Sequence, residues 1–105
     1  MTRLIAELPS PLREGRKQYR ASVYADRRPD ARWEAWLEFA DISTGDRALT
    51  DVETTQADLQ QIRGWARRLT GAYVEGAFDR AIRRFDGFAP LRFGRTRRRR
   101  SIEKS

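Results

Sequence analysis

The apolar periodicity of the chain changes phase between residues 56 and 85, and this change constrains the fold more than any other feature. Two sets of apolar residues follow each other at the three- and four-residue spacings of a helix. At about 100° per residue the two sets point well over a quarter turn apart, so one straight helix cannot bury both against one core. The first set is Leu59, Ile62, Ala66, Leu69 and Tyr73, and the second is Val74, Ala77, Phe78, Ala81, Ile82 and Phe85.

Thr70-Gly71 lies at the phase change and predicts a break there. Glycine commonly follows the end of a helix, and threonine commonly caps the start of the next one. We therefore predict two helices, over about residues 56–69 and 72–85. The alternative is a single kinked helix that tolerates its internal glycines at about 1 kcal/mol each.

Local signals also mark the outer ends of these helices. Thr55 and Asp58 form a short capping box that opens the first helix. Asp86-Gly87 predicts the end of the second helix. Residues 88–93 are then expected to return as an apolar clip against the domain.

Three earlier segments alternate apolar and polar side chains, which is typical of strands. They span residues 17–26, 32–40 and 47–53, and turn residues at 26–30 and 43–46 separate them. The face expected to meet the helices carries Tyr19, Ala21, Val23, Ala25, Trp33, Ala35, Leu37 and Phe39. The sequence therefore predicts an α+β fold (βββαα), with a three-stranded antiparallel sheet followed by two helices packed on one face.

The chain divides into an arm, a domain and a tail. Residues 1–16 contain Pro9 and Pro11 and are expected to form an N-terminal arm, docked by a short helical turn or an edge strand. Residues 17–91 form the single α+β domain. Residues 92–105 are expected to be a flexible, disordered tail, because they are rich in like charges and poor in apolar side chains.

The positive charge of the chain is concentrated in this tail. The whole chain has 22 basic and 15 acidic residues, a net charge of +7. Residues 92–105 contain seven basic and one acidic side chain, whereas residues 1–91 contain 15 and 14. All the basic residues except Lys17 and Lys104 are arginine, which favours bidentate contacts with phosphate and carboxylate. A codon bias toward arginine explains the same composition without a binding role.

The residue types needed for most enzyme sites are missing. Histidine and cysteine are absent, which removes the commonest general base and the usual zinc ligands. No glycine-rich phosphate loop is present. Asp41, Asp46, Asp51 and Glu53 flank the third strand, and we interpret them as loop and capping groups rather than metal ligands. The sequence therefore predicts no enzymatic activity and no catalytic, cofactor-binding or metal-binding residues.

Membrane association is not predicted either. No apolar run is long enough to span a membrane, and the N-terminal residues lack the apolar core of a signal peptide. The absence of cysteine is compatible with a reducing compartment. We expect a cytoplasmic location, no membrane partner and no small-molecule ligand.

The first candidate interaction surface is basic. Its candidate polyanion-binding residues are Arg80, Arg83, Arg84, Arg95, Arg97, Arg98, Arg99 and Arg100. Cations at this density bind nucleic acid with a steep salt dependence and without base specificity. The alternatives are a solubilising tail, or a charged segment that steers the chain toward an acidic protein.

The second candidate surface is the outward face of the sheet, where Tyr24, Trp36 and Leu49 lie opposite the core set. An outward tryptophan among charged residues is typical of a contact with a protein partner or with a second copy of the chain. Two other interpretations stay open: the N-terminal arm covers this face, or its aromatic rings stack on nucleic-acid bases. Glu34 and Glu38 argue against phosphate there, because they would repel it.

Several motifs resemble those of a group of small bacterial proteins with no assigned function. They are Trp33-Glu34-Ala35-Trp36-Leu37-Glu38-Phe39, Glu53-Thr54-Thr55-Gln56, Trp65-Ala66 and Tyr73-Val74-Glu75-Gly76-Ala77-Phe78-Asp79-Arg80-Ala81. The resemblance covers about residues 17–84 and implies no activity. In strand order the chain is also similar to the HicB-type antitoxin core, which implies a DNA-binding segment or an RNA-cutting toxin as partner. No helix-turn-helix or ribbon segment is recognisable in the sequence.

Together these features predict a non-enzymatic interaction module. Its main contact is with a protein partner or with itself through the sheet face, and the arginine-rich tail adds contacts with polyanions. The first alternative is a nucleic-acid-binding accessory protein in which the tail is the main binding element. The second is an antitoxin-like inhibitor of a partner enzyme.

Overall fold

Six strand segments and two helices follow one another in a computed structural model that describes residues 2–9 and 11–93, with side chains as far as Arg84. In chain order they are β1 (Arg3–Glu7), β2 (Leu12–Glu14), β3 (Lys17–Arg27), β4 (Trp33–Asp41), β5 (Arg47–Leu49), β6 (Thr54–Gln56), α1 (Leu59–Arg67) and α2 (Gly71–Phe93). The strands form one antiparallel sheet, and the helices follow it along the chain, which confirms the α+β class. Most of the predicted tail, residues 94–105, lies outside the described residues.

The sheet is four strands wide, because pairs of short strands share each of its edges. β3 and β4 form a continuous antiparallel hairpin at its centre. β1 and β2 pair in succession with β3, and β5 and β6 pair in succession with β4. The expectation of three strands is therefore wrong. The expected arm supplies β1 and β2, and the expected third strand ends at Leu49, with β6 following it.

Prolines and one side-chain hydrogen bond explain why the edge strands are interrupted. Pro9 and Pro11 have no N–H to donate, so the ladder breaks between β1 and β2 at a sheet edge, where proline is tolerated. Between β5 and β6, the Thr50 hydroxyl accepts from the Leu37 N–H at 3.0 Å, and the Thr50 N–H donates to the Leu37 carbonyl at 2.9 Å. One side chain thus replaces a backbone group in the ladder, and Val52 is left exposed.

The β3–β4 hairpin closes on an alanine in the left-handed region. Ala31 has a φ of 71°, and its N–H donates to the Arg28 carbonyl at 3.0 Å. Asp30 Oδ1 accepts from the Arg32 N–H at 3.1 Å on the same turn. A Cβ atom in this conformation lies too close to the following carbonyl oxygen, at a cost of about 1–2 kcal/mol.

Ala31→Gly is expected to raise the free energy of unfolding by up to about 1 kcal/mol. Glycine removes the left-handed strain, although its more flexible unfolded chain offsets part of the gain. Urea denaturation measures the change. Ala57→Gly is the control, because Ala57 is also exposed but lies outside the left-handed region, so this variant should be unchanged or less stable. A parallel loss of stability in both variants would contradict the prediction.

The core lies between the sheet and both helices. The predicted inward residues of β3 and β4 are buried, except that Trp33 is half-buried at the edge of the core. α1 contributes Ile62 and Ala66, and α2 contributes its own apolar stripe, centred on Phe78. The Phe78 ring lies 4.8 Å from the Tyr19 ring, measured between centroids. Both apolar stripes therefore face one core, because the chain turns between the two helices.

The break between the helices confirms the two-helix prediction. Residues 68–70 separate α1 from α2, and Thr70 caps α2, since its hydroxyl accepts from the Tyr73 N–H at 3.1 Å. Gly71 begins α2 and does not end α1 in a left-handed conformation. The single kinked helix is thus excluded.

The helices differ from the prediction at their outer ends. α1 begins at Leu59 rather than near residue 56, because Thr54–Gln56 pairs with β4 as a strand. Asp58 is the N-cap, and its carboxylate accepts from the Gln61 N–H at 2.9 Å.

α2 runs to Phe93, so Asp86-Gly87 does not end the helix and residues 88–93 form no separate clip. A helical glycine costs only about 1 kcal/mol, too little to end a helix by itself. No helix within the described residues is long and apolar enough to cross a membrane.

Candidate protein-binding face of the sheet

The side of the sheet that faces away from the helices carries a stacked aromatic pair. Tyr24 on β3 and Trp36 on β4 are directly opposite each other in the strand register. Their ring centroids are 6.5 Å apart, and the ring planes differ by 18°. Cross-strand aromatic pairs stabilise a sheet by themselves, so the pair has a structural role whether or not a partner binds.

Two leucines extend the apolar area around this pair. Leu49 on β5 is half-buried and pairs with Glu38, one row along the sheet from Trp36. Leu4 on β1 lies opposite Tyr24, and 52 % of its surface is exposed. We call the outward surface of Leu4, Tyr24, Trp36 and Leu49, with the charged residues beside it, the aromatic face.

The structure brings together the three residues predicted for this face and adds Leu4. Residues 1–16 were expected to form an arm that either docks at an edge or covers Trp36. Instead β1 and β2 extend the sheet sideways. Leu4 was not predicted because a single leucine in a five-residue strand gives little alternation to detect.

Opposite charges lie at the two ends of the aromatic face. Arg20 and Arg47 occupy one end, in the row that crosses Ala40. Asp26 and Glu34 occupy the other end, as opposed residues of β3 and β4. Along β3 the outward side chains are therefore basic, polar, aromatic and acidic in turn, and Glu7 and Glu38 lie beside Ser22 in the row between the basic end and the aromatic pair.

Two ion pairs partly neutralise these charges within the chain. Arg47 Nε lies 3.3 Å from Glu38 Oε1, and Arg28 Nη1 lies 3.6 Å from Glu34 Oε1. Except for the Glu38 carboxylate, which is buried, these groups are at least partly exposed. The exposed pair of Arg28 and Glu34 contributes little to stability, so its partners can be exchanged across an interface.

The indole of Trp36 has an unsatisfied donor. Its Nε1 is covered from solvent and has no hydrogen-bond partner within the described part of the chain. An unpaired buried donor costs about 1–3 kcal/mol. The surface that Trp36 presents outward is therefore mainly its apolar ring.

The predicted polyanion-binding residues divide into three groups in the structure. Arg80 Nη2 donates to Glu53 Oε1 at 2.6 Å, so its guanidinium is engaged within the chain. Arg83 is exposed and Arg84 is half-buried on α2. Arg95 and Arg97–Arg100 lie outside the described residues. A polyanion site on these arginines stays a prediction.

Glu53 joins β6 to α2 through hydrogen bonds that the sequence does not reveal. Its side chain is only 9 % exposed, and its Oε1 accepts from both the Tyr73 hydroxyl and Arg80. The Trp65 ring meets the Tyr73 ring edge-on, with 6.3 Å between centroids. Partial burial and the hydrogen bond to the Glu53 carboxylate raise the pKa of Tyr73 above its usual value. The cluster therefore positions α2 on the sheet.

The acidic residues around β5 have structural partners. Asp41 Oδ1 accepts from the Ser43 N–H at 2.8 Å, and Asp51 Oδ1 accepts from the Val52 N–H at 2.9 Å. Within residues 2–9 and 11–84, whose side chains the structure describes, no three acidic side chains converge in a way that would hold a metal ion. These contacts support the interpretation of Asp41 and Asp51 as turn and loop groups, whereas Glu53 contacts α2 instead.

Comparison of the chain with protein-family models, with curated proteins and with solved structures finds no match. The resemblances to small bacterial proteins and to the HicB-type core therefore stay predictions from sequence motifs. What supports a function is the geometry of the aromatic face and of the charged groups around it.

Proposed function

We propose that the protein is a non-enzymatic interaction module whose aromatic face binds the aromatic face of a second copy of the chain. The observation that carries this proposal is the charge order along the face. Basic, polar, aromatic and acidic side chains follow one another on the outward side of β3, and rows two residues apart are separated by about 6.6 Å. The basic and acidic ends are therefore about 20 Å apart, with the aromatic pair between them.

This charge order is complementary to itself under one two-fold operation. A two-fold axis that lies in the interface, perpendicular to the strands, reverses the strand direction of the second copy. Each basic end then meets the acidic end of the other copy. An axis along the strands would instead place like charges together, which is unfavourable. The charges thus favour one orientation of the two copies over the other.

The outward side of the sheet, of which the aromatic face is part, is close in size to a standard protein interface. β3 is 11 residues long and the sheet is four strands wide, so this side measures about 35 by 19 Å, and the aromatic face takes about 20 Å of that length. That corresponds to about 650 Å², against about 800 Å² per partner in a typical stable complex. Side chains at its border supply additional area.

A protein surface fits this face better than nucleic acid does. Glu34 and Glu38 flank Trp36 on β4, and their carboxylates would repel phosphate groups. A partner that brings arginines, as a second copy does with Arg20 and Arg47, is attracted by the acidic side chains. A rotation of the Trp36 indole on binding would also allow its unpaired Nε1 to reach an acceptor.

Trp36→Ala is expected to weaken self-association by roughly tenfold or more, because a central aromatic residue contributes more than the rim of an interface. Analytical ultracentrifugation of the full chain should show dimers, and the variant should shift toward monomers at the same concentration. Leu4→Asp tests the same face without removing a buried side chain, since Leu4 is exposed. Far-UV circular dichroism confirms that both variants fold. A monomeric wild-type chain at high concentration would refute the proposal.

A charge exchange in the same experiment tests the orientation of the two copies. Arg20→Glu and Glu34→Arg should each weaken self-association, because each places like charges at both ends of the interface. An equimolar mixture of the two variants should recover part of the dimers, since the mixed dimer keeps both basic and both acidic side chains at one of its two ends. Arg63→Glu is the matched control, because Arg63 is exposed on α1, on the other side of the sheet. Failure of the mixture to associate would exclude this orientation.

A further inference from the structure

Two arginine side chains lie over a glycine on the solvent side of α1. Gly64 is two residues from each of the buried Ile62 and Ala66, which places it on the opposite side of the helix. A Cβ atom added at Gly64 would lie 3.4 Å from Arg68 Nη1 and 4.0 Å from Arg67 Nη2. Those two nitrogens are therefore at most 7.4 Å apart, the sum of the two distances.

This guanidinium pair has no acidic partner within the described residues. Arg28, Arg47 and Arg80 each form an ion pair with a carboxylate. Arg67 and Arg68 are both exposed, and neither forms an ion pair with an acidic residue among residues 2–9 and 11–84. Two like charges held this close repel each other, and an anion between them would remove the repulsion.

A groove of about 530 Å³ runs beside the guanidinium pair and is lined mainly by polar side chains. Gln56, Gln60 and Gln61 contribute amide groups to it, and amide NH₂ groups donate hydrogen bonds; one N–H of the Gln56 amide is already used, since it donates to Thr54 Oγ1 at 2.8 Å. Gln61 uses its Oε1 to accept from the Ala57 N–H at 3.0 Å, which leaves its NH₂ as a donor. The one acidic side chain in the lining, Asp58, is engaged as the helix cap.

We propose that this groove binds the phosphate groups of a nucleic-acid backbone, with Arg67 and Arg68 as the charged contacts and the glutamines as hydrogen-bond donors. Guanidinium groups match phosphate oxygens in a bidentate geometry. A distance of at most 7.4 Å lets the pair hold a single phosphate together or two successive phosphates of one strand. The site is separate from the aromatic face, because α1 packs on the opposite side of the sheet.

A backbone phosphate fits the groove better than free phosphate does. Gln60, Arg67 and Arg68 are exposed, so a bound phosphate stays in contact with solvent and continues into a chain on either side. The net charge of +7, of which residues 92–105 contribute +6, draws a polyanion toward the protein as a whole rather than toward this groove in particular. The groove offers no aromatic ring to a base, and hence we expect no preference for sequence.

The test compares two double variants of the full chain in binding to a short single-stranded RNA and to duplex DNA. Arg67→Gln with Arg68→Gln removes the guanidinium pair, and Arg32→Gln with Arg63→Gln removes the same charge at exposed positions outside the groove. Fluorescence anisotropy over a salt series gives the affinity and its salt slope. Calorimetry with inorganic phosphate tests the alternative ligand.

The groove variant should bind nucleic acid roughly tenfold more weakly, with a salt slope smaller by about 1.4–1.8, since two phosphate contacts are lost. The control should change much less, because it loses charge but no contact. Equal losses of affinity in both variants would overturn the proposed site, because they would show only a general charge attraction. No loss of affinity in either variant would overturn it as well. Binding of inorganic phosphate that depends on the pair, without such an effect on nucleic acid, would overturn the backbone assignment.

Discussion

Phe78→Ala is expected to lower the free energy of unfolding by about 3–5 kcal/mol, the range for removing a large buried aromatic side chain. Phe78 lies where α2 crosses the sheet, with its ring 4.8 Å from the Tyr19 ring and 5.2 Å from the Phe39 ring between centroids. Alanine removes both contacts and leaves a cavity between helix and sheet. A domain of this size has only about 5–15 kcal/mol of total stability, so the variant loses a large part of it.

Urea denaturation followed by circular dichroism measures this loss. Phe78→Leu should cost much less, because leucine fills most of the same volume. Glu75→Ala is the matched control on α2, since Glu75 is exposed and an exposed substitution usually changes stability by less than about 0.5 kcal/mol. A loss below about 1 kcal/mol for Phe78→Ala would show that α2 does not pack on the sheet as described.

The two periodicities of the sequence were sufficient to predict the centre of the fold. Alternation along β3 and β4 identified the inward residues, and the phase change near Thr70 identified two helices. Both signals arise from burial, which repeats at every second residue in a strand and at every third or fourth in a helix. They are strong here because the segments that carry them are at least nine residues long.

The edge strands were harder to predict, because burial produces a recognisable period only in longer segments. β2 and β6 have three residues each, which is too short for alternation to differ from chance, and of the strand predicted over residues 47–53 only Arg47–Leu49 forms β5. Thr54–Gln56 was predicted to lead directly into a helix, since Thr55 and Asp58 have the spacing of a cap. Pairing with β4 takes precedence over that local signal, and it could not be predicted from the segment itself because the partner residues lie 19 to 23 positions away.

The aromatic face and the guanidinium pair also differ in how far the sequence predicts them. Tyr24, Trp36 and Leu49 follow from the parity of strand residues once the core side is known. The pair of Arg67 and Arg68 could not be predicted in this way. Whether the two side chains converge over Gly64 depends on their conformations, which their spacing in the sequence does not determine.

The interaction of Glu53 with α2 could not be predicted from the sequence either. It implies that substitutions of Arg80 and of Glu53 lower the stability by different amounts. Arg80→Ala should lower the free energy of unfolding by about 2–3 kcal/mol, because it leaves a carboxylate that is 9 % exposed with Tyr73 as its remaining side-chain partner. Glu53→Gln should cost only about 1 kcal/mol. The amide oxygen still accepts from Tyr73, and Arg80, 48 % exposed, turns to solvent.

A double-mutant cycle separates two contributions to the cost of Arg80→Ala. One is the unpaired Glu53 carboxylate, and the other is the loss of the remaining contacts of Arg80. In the Glu53→Gln background, Arg80→Ala should cost less than about 1 kcal/mol, since no buried carboxylate is then left unpaired. Arg83→Ala is the control for loss of a cation from α2, and it should change stability by less than about 0.5 kcal/mol because Arg83 is exposed. Equal costs of Arg80→Ala in both backgrounds would show that Glu53 and Arg80 are not coupled. In that case the contact between Arg80 and the Tyr73 ring, at 5.7 Å from the centroid, would account for the loss.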